Sequence, residues 1–241
     1  MNMAEELPLF VLPMILLPGE VQHLRIFEPR YKQMLDDCLL DERNFGLVLN
    51  DDFSKVNGWD SPRQYVCEAE ILHHDTKGSN HFIEIVGKRR FEIDEIIEPS
   101  LPPFSDESMS DLIPEEGIFP DLESIIAKIP SESDNMKLYI SAKVNFIEEE
   151  IEFSENKLDE LENIFRKILA KIGVLLRLDE HVFDDWIETQ ISQIMYNNPY
   201  SAYTIAAMTV SDPETRYQML ECNEGQTLYD MLLEQLDVIE I

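Results

Sequence analysis

Leu24-Arg-Ile-Phe-Glu-Pro-Arg-Tyr31 is the stretch that decides how the first half of this chain folds. It joins an extended run, Val21–Ile26, to the start of a helix. Pro29 suits the first helical position, where its missing N–H would have had no partner anyway. Beyond it Tyr31, Met34, Leu35, Cys38 and Leu39 repeat at helical spacing. The pattern predicts a strand running almost directly into a helix that ends near Leu40, before the polar Asp41–Asn44. Arg25, Glu28 and Arg30 are spaced to bond across that junction.

Extended segments lie on both sides. Upstream, Leu7–Leu12 and Ile15–Leu17 are apolar runs separated by Pro13 and closed by Pro18-Gly19. Downstream, Phe45–Leu49 reads as a compact strand and Gln64–Leu72 alternates. Phe82–Val86 and Phe91–Ile97 read as two more strands separated by Gly87-Lys-Arg-Arg90. Lys77-Gly78-Ser79-Asn80 is hairpin chemistry. About six short strands at such spacing predict a barrel or sandwich.

The character changes over residues 99–136. Pro99, Pro102, Pro103, Pro114, Pro120 and Pro130 fall there among acids and serines, with Lys128 as the lone basic residue. This predicts a loop-rich acidic insertion holding one short helix around Leu122–Ile129, with Asp121 as its cap. Lys137–Ile147 then returns to strand-like alternation. From Ser154 the chain reads as helical. Leu158, Leu161, Phe165, Ile168, Ile172 and Leu175 step by three and four along a long amphipathic helix. Further helices are predicted over His181–Tyr196, over Tyr200–Thr209, after Ser211-Asp-Pro213, and from a cap at Thr227 after a break at Gly225. The expected class is α+β: a β-rich part over residues 1–150, including the insertion, followed by a helical part over 151–241.

Composition excludes several functions. The 241 residues carry 49 acidic and 19 basic side chains, a formal charge of −30. Nucleic-acid binding draws on Lys and Arg to displace counterions, and an anionic membrane surface would repel such a chain. Apolar residues make up 44%, enough for a real core. Leu7–Pro18 is too short and too proline-broken for a membrane span, and Glu5-Glu6 precede it where a signal peptide carries positive charge. A soluble cytoplasmic protein is expected. Cys38, Cys67 and Cys222 are odd in number and widely spaced, as for buried thiols in a reducing compartment.

Catalytic signatures are missing from the sequence. No two of the eight glycines are spaced for G-x-x-x-x-G-K, G-x-G-x-x-G or G-x-S-x-G. His73-His74-Asp75 with His81 could imitate a metal site across a hairpin, but adjacent strand residues point to opposite faces, so only one of the pair can join His81. Glu148–Glu150 with Glu152, and Asp184-Asp185, read as solvated acidic runs. Lys88-Arg89-Arg90 is the one basic cluster and is expected to form local salt bridges. No metal, cofactor or catalytic residue is expected.

The segment Leu7–Leu39, above all Leu24–Tyr31, resembles the start of the LON substrate-binding domain, the N-terminal domain of ATP-dependent Lon proteases that also occurs as a stand-alone protein. Leu17-Pro-Gly19, Phe45-Gly-Leu-Val-Leu49, Gly87-Lys-Arg-Arg-Phe-Glu-Ile93 and Val144–Glu150 match the same family, as do the order and spacing of the helices from Ser154. The resemblance implies a PUA-like β-barrel followed by an all-helical bundle. It implies capture of unfolded or degradation-bound polypeptide, or contact with a protease component, without peptidase activity, which belongs to a Ser–Lys dyad domain downstream of an ATPase domain. It singles out Arg25, Phe27, Glu28, Arg30, Tyr31, Arg89, Arg90 and Phe91 as family-motif residues, expected to hold the fold more than to contact a ligand. The insertion at 99–136 departs from the family, which crosses this point by a short link. Two alternatives stand beside this reading. One is RNA binding, as in other PUA-like barrels, against which residues 1–97 offer ten basic and eighteen acidic side chains. The other is small-ligand binding of unknown chemistry.

Overall fold

A computed structural model describes the chain except residues 1–4, 57–58, 103–105, 113–119, 121, 132, 134, 148–152, 197 and 241, with backbone alone at 52, 54–56, 59–60, 180 and 237–240. The expected cap Asp121 and the acidic run Glu148–Glu150 with Glu152 lie outside the described residues. Two compact units form: Met1–Leu16 with Val21–Ile147, and Leu17–Glu20 with Glu148–Ile241.

The first unit is built on a seven-stranded sheet. Its strands are β1 (Glu5–Leu12), β2 (Val21–Ile26), β3 (Phe45–Val56), β4 (Trp59–Pro62), β5 (Tyr65–Lys77), β6 (Asn80–Ile97) and β7 (Ser141–Ile147). Strand β1 pairs antiparallel with β7 and parallel with β3, and the path β1-β7-β6-β5-β3 therefore returns on itself. This closed circuit removes edges from five strands. The parallel β1–β3 pair needs a crossover. It is supplied by β2 and the helix α1 (Pro29–Leu40), and the Tyr31 hydroxyl on α1 donates to the Val11 carbonyl at 3.0 Å. Leu7, Leu9, Val11, Val48, Val66, Phe91, Ile140, Ala142 and Val144 form one buried cluster. Gly46 lies where a Cβ would meet the Phe91 ring at 2.6 Å and Leu9 at 2.9 Å, so the close approach of β3 to the core requires glycine.

Three strand expectations change. Phe82–Val86 and Phe91–Ile97 are one continuous strand, β6, with Gly87 opposite Ala69 inside the ladder. A glycine and three cations look like a turn, but Lys88 and Arg89 find carboxylates on β5 and the strand continues through a register shift between Cys67 and Ala69. The short β4 carries a proline and was not anticipated; it pairs with β3 alone, the edge position that tolerates proline. Strand β7 begins at Ser141, later than Lys137.

The 99–136 segment holds more order than expected. Besides α2 (Leu122–Ile126), a 3-10 turn covers Glu107–Leu112. Leu101, Met109, Ile125, Ile129 and Leu138 bury one another in a small separate cluster. Its ends are fastened together: Ser100 Oγ donates to the Lys137 carbonyl at 2.8 Å, and Asn135 Nδ2 to the Glu98 carbonyl at 2.9 Å.

The second unit contains α3 (Glu155–Leu175), α4 (Glu180–Met195), α5 (Ser201–Thr209), α6 (Pro213–Glu221) and α7 (Gly225–Glu240). Helix α3 packs on α4 and α7, and α5 on α4, α6 and α7. Ser154 occupies the N-cap position of α3 without a side-chain cap bond. Asp212 does cap α6, accepting from the Thr215 N–H at 2.8 Å. Helix α7 starts at Gly225 rather than after a cap at Thr227, and Thr227 Oγ1 bonds Glu224 instead. The turn Leu17–Glu20 belongs to this unit. Gly19 has φ +79°, a left-handed conformation that glycine adopts without steric cost. Glu20 is buried, accepts the Leu17 N–H at 2.9 Å, and pairs with buried Arg216 of α6.

Candidate functional site

The family-motif residues do not gather at one place. Arg25 and Phe27 are exposed, with the guanidinium 5.6 Å from the Phe27 ring centre. Glu28 caps α1 with its backbone, and its carboxylate accepts from Arg30 Nε at 3.0 Å. Arg30 in turn lies over the Tyr31 ring at 4.4 Å, and Tyr31 is in the core beside Phe10. So Glu28 and Arg30 do bond across the strand–helix junction. Arg25 does not join them. Its Nε and Nη2 both donate to Asn80 Oδ1 on β6, at 3.2 and 3.1 Å.

The β6 cluster sits at a register shift against Cys67–Ala69 of β5, where Lys88 and Arg89 are both exposed and Arg90 and Phe91 both buried. Arg89 reaches Glu68 with two bonds, at 2.8 and 3.1 Å, and its guanidinium lies 3.6 Å from the Phe146 ring centre. Lys88 pairs with Glu70 at 3.0 Å. Arg90 and Phe91 are buried. Glu68 is only 4% exposed, and burial pushes its carboxyl up. The hydrogen bonds from Arg89 and Asn44, with the Arg89 charge, outweigh that and leave it below the usual carboxylate range.

An open concave surface of the first unit lies on the outer face of the β2–β6–β5 ribbon. There His23, Leu24 and Arg25 of β2, Phe82, Ile83 and Glu84 of β6, and His73, Asp75 and Lys77 of β5 line a groove of about 430 Å³. Its rows follow from the register. His23, Glu84 and His73 are in line across the three strands, and so are Arg25, Phe82 and Asp75. Two of its charges are matched locally. Lys77 pairs with Asp75 at 3.2 Å and lies 5.5 Å from the Phe82 ring centre. The Lys77 hydrogen bond holds the Asp75 carboxyl below its usual range. His23 Nε2 is 3.6 Å from Glu84. Arg25 differs: among the described residues no carboxylate pairs with it. Val21, Leu72 and Phe82 add exposed apolar surface along the same ribbon.

Of the eight motif residues only Arg25 borders this groove. The rest of its lining was not singled out from the sequence. A signal was present in Val21-Gln-His-Leu-Arg-Ile26, a strand with no acidic side chain in a chain of charge −30. On the opposite face of the ribbon, His74 Nε2 and His81 Nδ1 are 3.1 Å apart, each 3.3 Å from Thr76 Oγ1. His73 points away, as alternation requires. Burial pushes His81 down, with the Asp36 charge opposing and His74 and Lys32 adding to it. Among the described residues no three His, Cys, Asp or Glu side chains gather to hold a metal ion. No described helix is long and apolar enough to cross a membrane.

Comparison with known proteins extends over nearly the whole chain. The family described as the ATP-dependent protease La (LON) substrate-binding domain matches residues 6–238. Among solved structures, a Lon N-terminal domain protein from Xanthomonas campestris aligns with a TM-score of 0.54 at 19% identity, covering 95% of this chain and 98% of that one. The N-terminal domain of a Mycobacterium avium complex Lon protease aligns with a TM-score of 0.61 at 13% identity, covering 97% and 98%. At these identities the likeness is one of fold. No curated protein matches.

Proposed function

The chain belongs to the ATP-dependent protease La (LON) substrate-binding domain family, and on that premise we propose that it is a non-catalytic recognition module for unfolded or degradation-bound polypeptide. In this reading it works in the cytoplasm and passes its clients to a protease component. The observation that carries the reading is the groove on the β2–β6–β5 ribbon. It combines the exposed Phe82 ring with locally paired polar groups and with Arg25, which has no carboxylate partner among the described residues. Exposed apolar surface beside a polar rim is the character of a site that takes other chains. The substrate-binding family alone accounts for residues 6–238, and the sequence holds no phosphate-loop or nucleophile-elbow motif. In this proposal Arg25 contacts the client, with Phe27 beside it. Glu28, Arg30, Tyr31, Arg89, Arg90 and Phe91 keep the strand–helix junction and the ladder in place.

The test uses fluorescein-labelled α-lactalbumin, reduced and carboxymethylated so that it stays unfolded, with the native protein as control. Fluorescence anisotropy is expected to show saturable binding of the unfolded form alone. Phe82→Asp puts a charge into the apolar wall and is expected to weaken binding about tenfold, the loss of one well-packed apolar contact. Equal binding of native and unfolded α-lactalbumin, or binding of neither, would overturn the proposal.

A further inference from the structure

Strand β2 has one strand neighbour, β6, and lies off the closed circuit. Its other edge therefore has no strand beside it among the described residues. An edge strand offers backbone N–H and C=O groups to an incoming chain unless proline, lysine or a bulge blunts it. The other edge strand, β4, ends in Pro62. Strand β2 contains no proline, lysine, glycine or acidic residue, and its register with β6 is unbroken from Val21 to Ile26. Six residues at about 3.3 Å each give an edge about 20 Å long. Its outward row is Val21, His23 and Arg25, all exposed.

Charge selects the occupant. Of the neighbouring charges, Lys77 pairs with Asp75, and Glu84 lies 3.6 Å from the His23 ring. Arg25 is held in place by Asn80 through Nε and Nη2, an amide, and no carboxylate among the described residues compensates its positive charge. An incoming strand would lay its side chains directly opposite the row that ends in Arg25, within reach of a cross-strand ion pair.

Resting on the polypeptide-recognition reading, we propose that β2 receives an extended acidic segment of the client by strand addition, with a client carboxylate on Arg25. The backbone ladder supplies affinity without regard to sequence. The Arg25 contact supplies preference.

The probes are two fluorescein-labelled twelve-residue peptides of alternating Val and polar residues, one carrying Asp and the other Lys at the same positions. A third matches the Asp peptide but is N-methylated at alternate residues. The Asp peptide is expected to bind about tenfold more tightly than the Lys peptide, the worth of one charge-assisted hydrogen bond. N-methylation should weaken it at least as much. Arg25→Glu should reverse the preference, a gain for the Lys peptide that misfolding cannot produce. Equal binding of the N-methylated peptide, an unchanged preference in Arg25→Glu, or dimerisation of the chain that competes with the peptide would overturn the inference. If unfolded α-lactalbumin is still captured in those cases, only strand addition fails. If neither it nor any peptide binds, the recognition reading fails too.

Discussion

Replacing Arg89 with alanine strips buried Glu68 of its only cation among the described residues. Glu68 accepts two bonds from Arg89, at 2.8 and 3.1 Å, and one from Asn44 at 2.9 Å. In Arg89→Ala only the amide remains. Removing one partner of a fully buried pair costs about 3–5 kcal/mol. The Arg89 side chain is 51% exposed, so solvent already screens part of the interaction, and about 2–3 kcal/mol is the appropriate figure. Loss of the guanidinium stacked on Phe146 falls within the same sum. For a chain of this size each kcal/mol moves Tm by about 2–4 °C, so the melting temperature should fall by about 4–12 °C at pH 7. The pH dependence identifies the cause. The Glu68 carboxyl lies below its usual range in the folded state, so the pair contributes fully above the ordinary carboxylate pKa and is lost as pH falls through the lowered folded value. The gap between parent and Arg89→Ala should therefore be constant near neutrality and close in acid. Urea titrations of parent, Arg89→Ala, Glu68→Gln and the double variant at several pH values would measure it. A gap below about 0.5 kcal/mol at pH 7, the range of an ordinary surface change, or one that does not close in acid, would refute the reasoning.

Gly46→Ala should destabilise by about 1–3 kcal/mol, because its Cβ would overlap the Phe91 ring in a packed core; an unchanged urea midpoint would show that the core yields. In the helical unit, Arg216→Met should cost about 3–5 kcal/mol by stranding Glu20, whereas Glu20→Gln with Arg216→Met should recover much of it in a double-variant cycle. Burial pushes the Cys38 thiol up to about 12, and Cys67 is buried, so iodoacetamide at pH 8 should label half-exposed Cys222 first and the other two only on unfolding, read by mass spectrometry. A charge of −30 should make Tm rise from low to moderate NaCl as repulsion is screened; a flat or falling Tm would mean that local ion pairs outweigh it.

Helix α1 and the helices after Ser154 were legible because apolar periodicity and proline placement are local signals. Strand β6 was not. Gly87-Lys-Arg-Arg90 has the composition of a turn, and only pairing with Glu68 and Glu70 on β5 makes it ladder. The order in 99–136 was hidden for the same reason. Its prolines are visible in sequence, but the mutual burial of Leu101, Met109, Ile125 and Leu138 joins residues far apart in the chain. The candidate site shows the same division. Arg25 stands out within Leu24–Tyr31, while Phe82, Asp75 and Lys77 become its neighbours only through the register of three strands.

By itself the sequence determined the α+β class, the strand-to-helix step at Leu24–Tyr31, the family, and the poor fit of this charge to nucleic acid. Those follow from local propensity, spacing and composition, which need no partner. Tertiary structure decided what the side chains of Arg25, Arg30 and Arg89 meet. Arg30 reaches Glu28 two residues away, Arg89 reaches Glu68 across a ladder, and Arg25 meets the Asn80 amide and the Phe27 ring. Pairing of this kind depends on which strands lie side by side, and that is set when the sheet closes.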